Sequence, residues 1–271
     1  MDIHLGHQES SMSPKLLDIF YKVETTHWWW VGRKEIISFL LKKHLTNKKN
    51  LILDAGCGTG SNILFLKKFG DVYGVDTSLS ATKFCQMRGL KNIKTADVSN
   101  LPYNDNSFDL VCLMDVLEHI KDDKKVIREI FRVLKPQGQL LITVPALPFI
   151  YSKHDKAQGH VRRYKKSDLK ILFKKTGFTK VHLSYFNFLL SSPIIGIRLL
   201  SRLKLFSRLA DFDAGLNFDI HKINYLNNFL SNIFSSEKYL LDKIPIPFGV
   251  SLLGLYKKTG INMKNTTPKE S

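Results

Sequence analysis

Cysteine is scarce and poorly placed for cross-linking. Cys57, Cys85 and Cys112 make an odd number, and no two form a Cys-x-x-Cys pair, which speaks against both a disulfide framework and a zinc site. Long apolar runs are missing as well. The longest uncharged candidates, Tyr185–Ile197 and Ile244–Tyr256, stop at 13 residues each and contain proline, short of the ~18–20 residues that span a bilayer. Met1–Ser13 is polar and lacks the apolar centre of a secretory leader. A reducing cytoplasmic setting is expected, with contact at the inner face of a membrane left open. Acidic residues are also few, 24 against 41 Lys and Arg, and the deficit is uneven. Residues 1–150 carry a net charge of +4 and residues 151–271 a net +13. That imbalance suits an acidic partner for the second half: anionic lipid, an acidic substrate or nucleic acid.

What is present is an alternation of strands and helices. Leu51–Leu53, a short apolar run fit for a buried strand, and Val72–Val75, Ile93–Thr95, Phe108–Met114 and Gln139–Val144 read as strands. Helical spacing lies between them, at Ser61–Lys68, Ser80–Met87 and Lys124–Leu134. This pattern implies an α/β fold with a doubly wound, mostly parallel sheet. Beyond Pro145 come a basic loop (Tyr151–Tyr164), a helix (Ser167–Lys175) and strands at Phe178–Phe186 and Val250–Tyr256, seven strands in all. The expected organisation is an N-terminal helical cap (1–48), a core (49–186 and 248–260), a helical insertion (187–247) and a disordered tail (261–271). In the cap, Pro14–Leu45 reads as helix broken around His27–Gly32. In the insertion, Leu189–Leu209 and Ile223–Leu241 read as helices, with Arg198, Arg202, Lys204 and Arg208 set among leucines and isoleucines. That mixture suits a lid over a greasy substrate, a helix in an anionic interface, or an extra packed layer.

The segment Leu53-Asp54-Ala55-Gly56-Cys57-Gly58-Thr59-Gly60 joins a strand to a helix through glycines. Such a turn lets backbone N–H groups approach a ligand at the helix N-terminus. The dinucleotide fingerprint needs a third glycine where Ser61 stands, so a nicotinamide oxidoreductase is disfavoured. Gly74-Val75-Asp76 closes the second strand with a carboxylate placed to take ribose hydroxyls, and Thr77 follows it. Ala96-Asp97-Val98 ends the third strand, and Met114-Asp115-Val116-Leu117-Glu118-His119 the fourth.

Together these runs, over roughly residues 50–146, resemble class I S-adenosylmethionine-dependent methyltransferases: motif I at 54–60 and the acidic-Val-Leu-Glu-His signature of small-molecule enzymes at 115–119. The resemblance implies a Rossmann-like seven-stranded fold and S-adenosylmethionine as cofactor. It assigns Asp54, Gly56, Cys57, Gly58, Gly60, Asp76, Thr77, Asp97, Val98 and Asp115 to the cofactor, with Asp97 and the Val98 N–H reading adenine. Trp28-Trp29-Trp30-x-Gly32-Arg33 and His154-Asp155-x-x-x-Gly159-His160-x-Arg162-Arg163-Tyr164 resemble segments of type 11 and 12 and ubiquinone-pathway O-methyltransferases. Trp28, Trp29, Arg33, Arg162 and Tyr164 are therefore expected to wall the acceptor, with His119, His154 or His160 as proton acceptor. Asp115, Glu118 and His119 share a helical face, as do metal-holding positions in some ubiquinone-pathway relatives; no metal is expected here. The expected reaction is O-methylation of a small lipophilic or lipid-linked acceptor. A nucleic-acid methyltransferase is encouraged by the charge, but the Asn/Asp-Pro-Pro-aromatic run of amino-methylating enzymes is replaced by Asp115-Val116-Leu117-Glu118. A noncatalytic scaffold that binds the cofactor is the alternative of another class.

Overall fold

The computed structural model describes residues 13–45, 49–200 and 219–260. Seven strands form one sheet: β1 (Asn50–Ala55), β2 (Gly70–Asp76), β3 (Ile93–Thr95), β4 (Phe108–Met114), β5 (Leu134–Pro145), β6 (Phe178–Phe186) and β7 (Ser251–Lys258). Their order is β3-β2-β1-β4-β5-β7-β6. All neighbours are parallel except β7, which runs antiparallel to β5 and β6. The central strands are short apolar runs because both faces are covered. One buried cluster centres on Val111, Leu113, Ile130 and Ile142, and the other on Ile37, Ile52, Leu110 and Leu253. Strand order reverses between β1 and β4, so a crevice opens there beyond the carboxyl ends of the strands.

The crossover helices are α3 (Ser61–Leu66), α4 (Leu79–Met87), α5 (Asp123–Val133), the short α6 (Lys153–Ala157) and α7 (Lys166–Leu172). Ahead of the sheet stand α1 (Pro14–Val23) and α2 (Trp28–His44). The Ser13 side chain caps α1 by accepting from Leu16 N at 3.3 Å, and Pro14 follows at the position where its missing N–H costs nothing. The break between the two helices falls at residues 24–27, earlier than the sequence suggested. His27 Nδ1 accepts the Trp29 N–H at 3.2 Å, so the tryptophans begin α2 instead of lying in a loop, with Trp28 and Trp30 buried.

Between β6 and β7 lie α8 (Ser191–Leu200) and α9 (Asn224–Lys243). The antiparallel seam is tied to α9 by Glu237, whose Oε1 accepts from Phe188 N (2.8 Å) and Leu189 N (2.9 Å). Asn227 of α9 joins the N-terminal segment: its Oδ1 accepts from Trp28 N at 2.8 Å and its Nδ2 donates to Thr26 O at 2.9 Å. The cap and these helices thus form a common roof beside the crevice. Arg202, Lys204, Arg208 and the tail at 261–271 lie outside the described residues.

Candidate active site

The glycine loop after β1 is hooked to β2 by two N–H groups, from Gly56 (2.8 Å) and Cys57 (2.9 Å), both onto Val75 O. Gly56 has φ +81° and Gly58 φ +53°, the left-handed region that side chains resist. Asp76 is fixed at the end of β2 from both sides: Oδ2 accepts from Gly58 N and Oδ1 from Ser78 N, each at 2.9 Å. Burial raises the Asp76 pKa despite these donors. Asp54 is fully buried, and neither carboxylate oxygen accepts a hydrogen bond among the described residues. Burial drives its pKa up to about 8, against the pull of Arg33.

Two features fit this loop to a nucleoside with an amino-acid tail. A Cβ built on Gly58 meets nothing within 4 Å, so the loop backbone faces open space that a ligand can enter closely. Asp54 is also a buried acceptor without a donor among the described residues, which a ligand ammonium, directly or through water, would satisfy. Asp97, exposed, accepts from Ser99 N at 2.7 Å, and Val98 beside it is buried; Thr77 is exposed. Asp76, Thr77, Asp97 and Val98 sit at the ends of β2 and β3 rather than in the wall of the main cavity.

That cavity holds about 380 Å³ and runs from the glycine loop, past the end of β4, to α8 and α9. Trp28, Trp29 and Arg33 of α2 line it. The buried Arg33 guanidinium pairs with Asp115 and donates to Asn62 Oδ1 at 3.1 Å, and it lies 4.6 Å over the Trp29 ring. Its Nε has no acceptor among the described residues. Asp115 takes a left-handed backbone, φ +59°, an uncommon conformation for a non-glycine residue and one that recurs where a site over-determines it.

The basic loop supplies the far wall through one buried carboxylate. Asp155 Oδ1 accepts from Arg163 Nε (2.8 Å) and lies 3.1 Å from His160 Nδ1, while Oδ2 is 3.4 Å from Arg198 of α8. Burial opposes its charge, but His160 and the two arginines outweigh burial and hold the pKa below the usual range. His119, in the helical turn Leu117–His119 after β4, has Nδ1 3.3 Å from Gly159 O. Burial lowers its pKa to about 4, and burial with Arg198 lowers that of His154 to about 3, so both rings are neutral at pH 7. His154 lies 2.9 Å from Gln158 Nε2.

Glu118 is fully buried in the cavity wall, and its carboxylate oxygens accept no hydrogen bond among the described residues. Burial, then Asp115, raises its pKa well above the ordinary value. One atom each from Glu118, His119 and His160 lies within 4.8 Å of the others, a spacing that would also admit a cation. Two expected wall residues do not line the cavity. Arg162 turns to Asp123 (3.2 Å) and Lys121 O (2.7 Å), and the buried Tyr164 hydroxyl to Asp123 (3.0 Å) and Leu117 O (3.3 Å). Asn62 takes part in the site although no motif points to it, and Asp155, present in the basic-loop motif without an expected role, carries the ion pairs of the far wall.

Residues 53–142 match the family described as methyltransferase domain. An uncharacterised Methanocaldococcus jannaschii protein, MJ0638, is 41% identical over 110 residues, 41% of this chain and 47% of that protein; the chain thus spans under half the length of this curated relative. Demethylmenaquinone methyltransferase of Lactiplantibacillus plantarum is 28% identical over 200 residues, 60% of this chain and 82% of that protein. Among solved structures, phosphoethanolamine N-methyltransferase 2 of Haemonchus contortus, in complex with S-adenosyl-L-methionine, shares the fold with a TM-score of 0.54 at 21% identity, over 83% of this chain and 52% of that chain. With its sheet order and glycine loop around that matched domain, the chain has the Rossmann-like fold of the class I S-adenosylmethionine-dependent methyltransferases.

Proposed function

We propose that this chain transfers the methyl group of S-adenosylmethionine to a small lipophilic acceptor, by O-methylation. The observation that carries this reading is a cavity with two unlike walls opening from the glycine loop. Leu190, Ile194 and Ile197 with Leu230 of α9 form an apolar wall; Glu118, His119 and His160 form a polar one. The cofactor supplies a methyl group on a positively charged sulfur, an activated donor. The protein's task is to hold the acceptor oxygen in line and exclude water, and such positioning supplies much of the rate. Asp54, the Gly58 backbone, Asp76 and Asp97 would hold the cofactor, and Arg33 would orient its carboxylate or an acidic acceptor through its vacant Nε. A relative named for demethylmenaquinone supports a lipophilic acceptor.

Leu199 and Leu200 of α8 and Tyr225, Phe229 and Leu240 of α9 are exposed, in the half of the chain that carries a net +13. This pairing supports a lipid-linked acceptor taken up at the anionic inner face of a membrane. No helix of the described residues is long and apolar enough to cross one. Two assays test the reading. Radiolabelled methyl from S-adenosylmethionine should enter the lipid extract of the producing cells; label confined to the water-soluble fraction would refute a lipophilic acceptor. At low salt the protein should float with phosphatidylglycerol vesicles and not with phosphatidylcholine vesicles; protein left in the soluble fraction with both would refute the membrane contact.

A further inference from the structure

Glu118 stands out among the buried groups because its carboxyl oxygens find no hydrogen-bond partner among the described residues. A carboxyl group removed from water without hydrogen bonds costs free energy, and a site that keeps one is built to meet a ligand. Its neighbours are arranged to the same end. The Asp155 carboxylate engages His160 Nδ1 at 3.1 Å, which makes Nδ1 the protonated nitrogen and leaves the Nε2 lone pair free. That Nε2 lies 3.9 Å from Glu118 Oε1, too far for a hydrogen bond. Gly159 O similarly occupies the Nδ1 side of His119. An oxygen placed about 2.8 Å from both His160 Nε2 and Glu118 Oε1 completes two good hydrogen bonds across that gap. A hydroxyl suits the position, since it donates to the histidine while its oxygen accepts a hydrogen bond from the carboxyl group.

We infer that Glu118 and His160 seat the acceptor's nucleophilic hydroxyl, with Asp155 as the positioning residue that presents His160 Nε2 as the proton acceptor. The raised pKa of Glu118 agrees with a carboxyl group that donates. In the transfer, the acceptor O–H proton moves to His160 Nε2 and the oxygen forms the new bond to the methyl carbon. The carbon–sulfur bond breaks with its electron pair kept by sulfur, and the imidazolium charge rests against Asp155. The inference deepens the methyltransferase reading and rests on it: the substrate class becomes a protic, hydroxyl-bearing acceptor with an apolar body.

The test compares two probes of similar body, 4-butylphenol and 4-butylanisole, by calorimetry on protein saturated with S-adenosylhomocysteine, with and without EDTA. The phenol should bind at least tenfold more tightly than its methyl ether, in EDTA as well. Glu118→Leu should erase that difference and Glu118→Gln largely restore it, with S-adenosylhomocysteine affinity within twofold of wild type as the sign of an intact fold. His160→Gln should also narrow the difference. Equal binding of the two probes, no binding of the phenol, or a Leu variant that still discriminates would overturn the inference. Loss of discrimination in EDTA, restored by a divalent cation, would overturn it in favour of Glu118, His119 and His160 as metal ligands. Failure of S-adenosylhomocysteine itself to bind would instead strike the methyltransferase reading.

Discussion

Replacing Gly58 with alanine separates the cofactor loop's binding role from its folding role. At φ +53° an L side chain costs about 1 kcal/mol, and the added Cβ meets nothing within 4 Å, so no packing cost follows. In a chain of this size that loss lowers Tm by roughly 2–4 °C. The methyl group nevertheless projects into the space the ligand must enter. Losing one close backbone contact to a charged ligand costs about 1.5–3 kcal/mol, which is roughly a 10- to 100-fold weaker Kd. Gly56→Ala is the contrasting variant. At φ +81° its Cβ falls 2.5 Å from Val116 Cγ2, so overpacking of about 1–3 kcal/mol adds to the backbone strain. Thermal unfolding and titration with S-adenosylhomocysteine, run on both variants, check the pair. Gly58→Ala should be mildly destabilised and severely weakened in binding, and Gly56→Ala clearly less stable. Wild-type affinity in Gly58→Ala, or a larger Tm loss there than in Gly56→Ala, would refute the assignment of open space to the ligand.

Asp155→Ala strips His160, Arg163 and Arg198 of their shared buried partner and should cost about 3–5 kcal/mol, measured by urea unfolding; a loss under 1 kcal/mol would contradict its place as the hub of that wall. His154 has a folded pKa of about 3 against about 6.5 unfolded, so the unfolded chain alone takes up this proton as pH falls through 6.5. Stability tied to His154 is therefore full at pH 7.5 and declines on acidification. His154→Gln should gain about 2 kcal/mol on wild type between pH 7.5 and pH 5, and a pH-independent difference would show that the ring is protonated in the fold.

Much of the core was legible because its signals are local. The limits of β4, Phe108–Met114, coincide with an apolar run between turn residues, those of β6, Phe178–Phe186, with an alternation of apolar and polar residues after Gly177, and the glycine spacing at 56, 58 and 60 with an acid at 76 marks the loop directly. The start of α2 was misread because Gly32 and the tryptophans look like an interruption, whereas the boundary is set by one His27 side-chain hydrogen bond. Likewise β5 begins at Leu134 instead of Gln139, because Leu134 pairs with Phe108 across a register shift. The facing of Arg162 and Tyr164 depends on where Asp123 of α5 lies, and no periodicity in a loop records that. The Asp155 hub was hidden for the same reason, since Arg198 reaches it from 43 residues away.

Calorimetric titration of the purified, folded protein with S-adenosylmethionine and S-adenosylhomocysteine tests the central claim most directly. The account predicts one saturable site for each, with Asp76→Ala at least tenfold weaker for both, because the carboxylate that Gly58 N and Ser78 N hold in place is removed. Absence of binding by either compound to folded wild-type protein, or full affinity in the Asp76 variant, would contradict it.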